Sequence, residues 1–507
     1  MTNLYNRIAA AFPADRSRAF ATFTDGAAFS YGDLDARSAA FANAVTQRGV
    51  RPGDRVAVQA EKSIDMLMLY LGCLRAGAIF LPLNTAYTPH ELDYFMRDAQ
   101  PALLVATTSK RAAIEPLATA AGVPVVEDLD DHGTGSLSRA ADACPTDFDT
   151  LAREPDDLAA ILYTSGTTGR AKGAMLSHDN LLSNAETLLD YWQFTERDVL
   201  LHALPIFHTH GLFVATNIVL LAGASMIFLP QFRASDVIDL LPRATAMMGV
   251  PTFYIRLLGE DRFTRDLVKD IRLFISGSAP LSADIHRAFR ERTGHAILER
   301  YGMTETNMIT SNPYDGDRVA GTVGVPLPGV SVRIADPESL ALLPQGEIGV
   351  IEVSGPNVFK GYWRMPEKTD AEFHDGYFIT GDLGRIDAAG YVSIVGRAKD
   401  LIIAGGFNVY PAEVEGALDE LPQVRESAVI GVAHPDMGEG VVAVVVPADA
   451  AFTDEAALLT ELADRLARFK QPRRIVFVDE LPKNSMGKVQ KVLLRERYAD
   501  SFAPVAG

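Results

Sequence analysis

The segment Tyr163–Gly173 (YTSGTTGRAKG) has the composition of a phosphate cradle. Its glycines let main-chain N–H groups approach a polyphosphate, its hydroxyls add donors, and Lys172 adds a point charge. The apolar run Leu158–Leu162 directly before it reads as a buried strand, which argues against a flexible linker. The spacing is neither the G-x-x-x-x-G-K-[ST] loop of nucleoside triphosphatases nor the G-x-G-x-x-G turn of dinucleotide-binding folds, so both classes lose ground. A second signal is electrostatic. Between Arg465 and Arg497 stand ten Lys or Arg against three Asp or Glu, in a chain whose net charge is −18. Such a reversal suits an anionic ligand as well as it suits a solvated basic face.

These groups need a scaffold, and the order of elements indicates one. Val56–Gln59, Ile79–Leu83 and Leu103–Ala106 read as short strands, with helical patterns over 63–75 and 88–98 between them, the alternation of an α/β domain with a largely parallel sheet. The same texture recurs around 159–163 and 273–276, with helices expected over 180–191 and 282–293, and this large unit runs to about residue 320. From Gly346 the chain changes to strand-like runs between Gly and Asp turns, predicting a β-rich subdomain. A small α+β unit follows after Asp400. The 19 uncharged residues of Gly211–Leu229 approach a membrane-spanning length, but Thr216, Asn217, Ser225 and the 222–224 break predict a buried helix and then a strand over 226–229. No membrane span is expected.

Composition narrows the function further. A chain of 507 residues with 48% hydrophobic and 22% charged residues is an ordinary globular protein. Its negative charge opposes nucleic-acid binding. Two cysteines, Cys73 and Cys144, without metal-ligand spacing indicate neither a disulfide framework nor structural zinc, and fit a reducing, cytoplasmic setting.

Beside the phosphate loop stand Tyr301–Thr306 (YGMTET), Tyr377–Asp382 (YFITGD), Gly396–Asp400 (GRAKD), a Gly405–Glu415 segment (GGFNVYPAEVE) and Pro482–Lys488 (PKNSMGK). Together and in this order they resemble the adenylate-forming superfamily of acyl-CoA synthetases, luciferases and adenylation domains, over nearly the whole chain. The resemblance implies an α/β fold with a large N-terminal domain over 1–398, made of two α/β subdomains and a β-rich subdomain at about 321–398. A hinge at 399–400 and a small mobile α+β domain over 401–507 complete it. It implies ATP, Mg²⁺ and CoA as partners of a small carboxylic acid. By the same resemblance, ATP is bound by Thr164, Ser165, Gly166, Thr167, Thr168, Gly169 and Lys172, with Gly277, Ser278, Ala279, Glu299, Arg300 and Tyr301 around adenine and Asp382 and Arg397 on the ribose. Thr304 donates to the α-phosphate, Thr164 and Glu305 hold the metal, and Lys488 reaches between carboxylate and α-phosphate. Lys399 is the hinge, and Gly405 and Gly406 border the pantetheine path after the small domain turns.

For the acid, the expected lining is His208, Ser278, Met303 and the 249–258 segment. Arg256 lies within an apolar helix start, and a buried guanidinium there needs an anion, such as a second carboxylate on a short dicarboxylic acid. The alternative is a solvent-facing Arg256 paired with Glu260. The segments 207–212 and 301–308 also look like those of malonyl-CoA and methylmalonyl-CoA synthetases. A ligase for a medium-chain or aryl acid, or a module that loads a carrier protein, are the other readings. Members of the superfamily are controlled by acetylation, so a lysine acetyltransferase and deacetylase acting on Lys488 are expected partners.

Overall fold

The computed structural model describes residues 3–130, 132–164, 171–404, 407–435, 437–463, 465–484 and 487–502. Two α/β layers form the large domain. The first is a six-stranded sheet with spatial order 126–129, 103–107, 55–59, 79–82, 158–164, 172–177. Its first five strands run parallel and the last folds back as a hairpin. The second has nine strands, with a parallel centre formed by 298–303, 273–276, 246–249, 199–202, 225–228 and 19–22. In such sheets ligands gather beyond the carboxyl ends of the strands. Here those ends carry Thr164, His202, Ser276 and Met303.

Local chemistry explains the helices that cover these sheets. In Ile64–Ala76 the Ser63 side chain accepts the Met66 N–H at one end, and Gly77 ends the helix at φ 67°. Nearly every residue of that helix is buried, so it lies between layers and has no polar face. The stretch expected as a core helix is indeed buried, but it begins as a π-helical turn, His210–Thr216, before Asn217–Leu221 continues as α-helix. The strand after it is Ser225–Phe228. Among the described residues no helix is long and apolar enough to cross a membrane.

The β-rich sheet comprises 331–335, 349–354, 373–374, 377–386 and 392–397, all antiparallel. It begins later than residue 321. Val325–Pro326 still pairs with the nine-stranded sheet, because Gly324 passes so close to Ser311 that a Cβ there would lie 1.9 Å from its carbonyl carbon. The last sheet, built on the long hairpin of Val424–His434 and Gly438–Pro447, has its own core of Val414, Leu418, Val429, Val441, Val445, Leu458 and Leu462. Lys399 is exposed in the turn Ala398–Asp400, and Arg495 of the final helix grips Asp400 at 2.7 Å.

Candidate active site

On the phosphate side, Thr164 and Lys172 face each other across the hairpin that closes the glycine-rich loop. Ser165, Gly166, Thr167, Thr168 and Gly169 lie outside the described residues, as do Gly405 and Gly406. Thr164 Oγ1 donates to Glu305 Oε1 at 3.3 Å, so the two groups expected at a metal are adjacent. Lys172 is not a free point charge. Its Nζ pairs with Glu372 at 2.9 Å and lies 4.0 Å from the centre of the Tyr362 ring. Tyr362 Oη contacts Glu372 at 2.6 Å and Glu305 at 3.1 Å, so Lys172 reaches Glu305 through a relay. Burial holds the Glu305 carboxyl above its ordinary range, opposed by the Tyr362 bond and the Lys172 charge. A single carboxylate beside a hydroxyl fits Mg²⁺ carried on phosphate and water oxygens. Among the described residues no group of three or more His, Cys, Asp or Glu forms a metal cage.

Asp382 and Arg397 stand opposite each other in adjacent strands, with Arg397 Nε 2.7 Å from Asp382 Oδ1. Tyr301 Oη donates to Asp382 Oδ2 at 2.5 Å. The buried carboxylate is thus held from two sides in front of the cleft.

Lys488 enters from the small domain. Its hairpin is closed by Asn484, whose N–H donates to the Lys488 carbonyl at 2.9 Å and whose Oδ1 accepts the Lys488 N–H at 3.0 Å. Gly487, at φ 76°, turns the hairpin beside Thr252 of the helix Pro251–Leu258. The Lys488 ammonium is pulled below its ordinary range, first by the protein crowded around it and then by Arg397 and Arg300, against the pull of Asp382 and Glu305. The residue nonetheless keeps solvent access. Those neighbours, with His208 pushed down to about 4 by burial and by Lys488, put the amine where phosphate and acid sides meet.

On the acid side the expectation for Arg256 fails in its premise. It is exposed, and among the described residues it has no ion pair, with Glu260 or otherwise. The physical reason is helix phase: Tyr254 and Leu257 take the core positions, so Arg256 shares the stripe of Thr252 and Ile255 that turns to the Lys488 hairpin. The buried guanidinium is Arg300, 3% exposed, whose Nε and Nη2 have no partner among the described residues. Burial lowers it to about 9. It packs so tightly on Gly277 that a Cβ there would lie 2.4 Å from Cζ. Next to it Ser278, at φ 72°, sets Oγ 3.3 Å from His210 Nδ1. His210 Nε2 and Ser276 Oγ are likewise buried without partners among the described residues.

The other expected positions are less engaged. Met303 packs half-buried against the main core, while Ala279 and Thr304 are half-buried beside the cleft. Glu299 points away, with Oε1 accepting the Leu281 N–H at 3.2 Å and its carboxyl pushed up to about 8 by burial. Tyr362, Glu372 and His210 were missed by sequence reasoning. Only alternation along the strand Leu298–Met303, which sends Glu299 and Arg300 to opposite faces, could have separated Arg300 from the adenine set.

Polar and charged groups gathered at the carboxyl ends of two α/β sheets, with Lys488 brought to them from a second domain, are the frame of an adenylating enzyme. Residues 6–363 match the AMP-binding enzyme family and residues 413–488 match the AMP-binding enzyme C-terminal domain, and the chain belongs to this family. It superimposes on the crystal structure of ATP-bound MatB from Rhodopseudomonas palustris with a TM-score of 0.97 at 59% identity, over 99% of both chains. Apo MatB gives 0.86, so the arrangement of this chain is nearer the ATP-bound form. A feruloyl-CoA synthase of Amycolatopsis is 37% identical over 93% of this chain and 94% of its own length. A malonate–CoA ligase of Arabidopsis thaliana is 35% identical over 93% and 85%.

Proposed function

We propose that the enzyme joins malonate, or methylmalonate, to CoA by way of an acyl-adenylate, releasing pyrophosphate and then AMP. The observation that carries the choice of acid is Arg300. A buried guanidinium with two nitrogens unpartnered among the described residues is costly unless an anion meets it, and the second carboxylate of a short diacid is such an anion. Arg256, on the stripe facing the cleft, is a second, solvent-exposed cation for the same carboxylate.

In the first half-reaction the acid carboxylate attacks the α-phosphorus and pyrophosphate leaves. Charge that develops on the α-phosphate and the carboxylate is met by Lys488 and Thr304. Thr164 and Glu305 would hold Mg²⁺, which supplies charge neutralisation on the phosphates. Asp382, steadied by Arg397 and Tyr301, accepts from the ribose hydroxyls. The small domain, 401–507, then turns about Lys399 and Asp400. Lys488 withdraws, Gly405 and Gly406 border the thiol's path, and CoA displaces AMP. Acetylation of Lys488 would remove its charge and stop adenylation alone, and we expect a cytoplasmic enzyme.

The feruloyl-CoA synthase relative favours one other reading, an aryl-acid ligase. Pyrophosphate release with ATP, Mg²⁺ and CoA, measured across acetate, butyrate, octanoate, ferulate, malonate, methylmalonate and succinate, separates the two. Turnover is expected with malonate or methylmalonate, lost in Arg300→Met and weakened in Arg256→Ala. Preference for ferulate, undiminished in Arg300→Met, would leave the adenylating chemistry standing and overturn the diacid. Malonate and methylmalonate differ by one methyl, about 1–3 kcal/mol in a pocket, so their ratio is read from kcat/KM.

A further inference from the structure

Lys62 follows the strand Arg55–Gln59 of the six-stranded sheet, and His202 ends the strand Val199–His202 of the nine-stranded one. The two meet. Lys62 Nζ donates to the His202 carbonyl oxygen at 2.9 Å and lies 3.0 Å from Nδ1, with its charge 4.4 Å from the centre of the Phe228 ring. No carboxylate pairs with Lys62 among the described residues, so nothing in the network of ion pairs explains it. Because Lys62 fills Nδ1 as a donor, the imidazole carries its proton on Nε2, and Nε2–H donates to the Gly211 carbonyl at 2.9 Å. Amine and ammonium both have the two hydrogens this requires, so the geometry does not depend on the charge of Lys62.

Gly211 sits in the first turn of the π-helix His210–Thr216. A π-turn is wide, rarely extended and concentrated at functional sites, and it persists only where its surroundings hold it. Three contacts hold this one. The Gly211 Cα is pressed onto Pro205, where a Cβ would come within 2.0 Å of the carbonyl oxygen. Thr216 Oγ1 donates to the Gly211 carbonyl at 2.9 Å, and His202 Nε2, 3.4 Å from that hydroxyl, donates to the same oxygen. The residue before Gly211 is His210, whose buried, unpartnered Nε2 lies in the pocket of Arg300 and Ser278.

We propose that Lys62 and His202 are positioning residues for the acid subsite: they pin the Gly211 carbonyl and so hold the imidazole of His210 beside Arg300. They touch neither ATP nor acid. The inference rests on reading that pocket as the acid's, but not on which acid fills it.

The test is steady-state pyrophosphate release by the full chain, with malonate, or whichever acid in the panel turns over fastest, and ATP varied separately. Misplacement of a binding group by an ångström costs up to about a hundredfold, so Lys62→Met and His202→Leu should raise the acid KM by about tenfold or more while the ATP KM stays within about twofold. Lys62→Arg and His202→Gln, which keep a donor to Nδ1 or an acceptor–donor pair across the same span, should return most of the acid affinity. Thr216→Val removes one of two donors to Gly211 and should move the acid KM the same way by less. An unchanged acid KM in Lys62→Met and His202→Leu overturns the proposal. So does a joint rise of both KM values with a fall in Tm that the conservative variants do not reverse, since that is a merely structural strut. If the two disruptive variants do not fold, Thr216→Val decides, and an unshifted acid KM there overturns the idea as well. Failure of the diacid reading shows separately, as a monocarboxylate preference in the panel.

Discussion

The two walls of the cleft handle buried charge in opposite ways. On the phosphate and ribose wall the described charges have internal partners: Lys172 with Glu372, Glu305 and Glu372 with Tyr362, and Asp382 with Arg397 and Tyr301. On the acid wall Arg300 and His210 keep buried nitrogens with no partner among the described residues. A prepaired wall is rigid before ligand arrives and can present its remaining lone pairs to a ligand as large as ATP. An unpaired wall is strained until an anion enters, which makes it selective for a small charged substrate. Lys488 stands between, in the fields of both.

The sharpest break in this comparison comes at Lys488. Lys488→Gln should cut adenylation, followed as acid-dependent pyrophosphate exchange, by about a hundredfold to a thousandfold or more, the scale of a lost transition-state charge donor. Conversion of preformed acyl-adenylate and CoA to thioester should persist near the native rate. Equal loss of both half-reactions would contradict the division of labour.

Stability separates the walls next. Arg300→Met removes a buried charge with no partner, so thermal unfolding should leave Tm unchanged or raised even as acid turnover collapses. Asp382→Asn strips a charged acceptor from Arg397 and Tyr301, and should lower stability by about 1–3 kcal/mol while raising the ATP KM. If both variants lost stability alike, the contrast between paired and unpaired walls would be wrong.

The least direct reading, taken from the slope of a pH profile, lies behind the acid wall, at Glu299. Its folded-state carboxyl is at about 8, above its ordinary value, so the folded chain holds a proton that the unfolded chain has released between those two pH values. That contribution is complete at acid pH and is lost as pH rises through about 8, at no more than about 1.4 kcal/mol per pH unit. In ligand-free protein, Tm plotted from pH 5 to 9 should therefore fall less steeply in Glu299→Gln than in the native chain. Parallel curves would remove Glu299 as the source.

Much of this was legible in the chain alone. The α/β alternation, the β-rich change of texture and the small basic C-terminal unit are all present, because hydrophobic period and turn residues are local properties. Thr164 and Glu305, and likewise Asp382 and Arg397, come from separate motifs and stand side by side in the fold. Lys172 and Arg256 were read less well, each for a reason that lies outside its own segment. Lys172 meets Glu372, 200 residues on, and Arg256 depends on which stripe of a short helix the core claims.

The sequence by itself determined the order of elements, the phosphate-binding chemistry and the membership of an adenylating family, since these reside in residue types at short fixed spacings. Only the tertiary structure decided which charges are paired. Whether a guanidinium is buried with a carboxylate or without one depends on elements brought together from distant parts of the chain. That is why Arg300, Tyr362, His210 and the Lys62–His202 link emerged only from the folded chain.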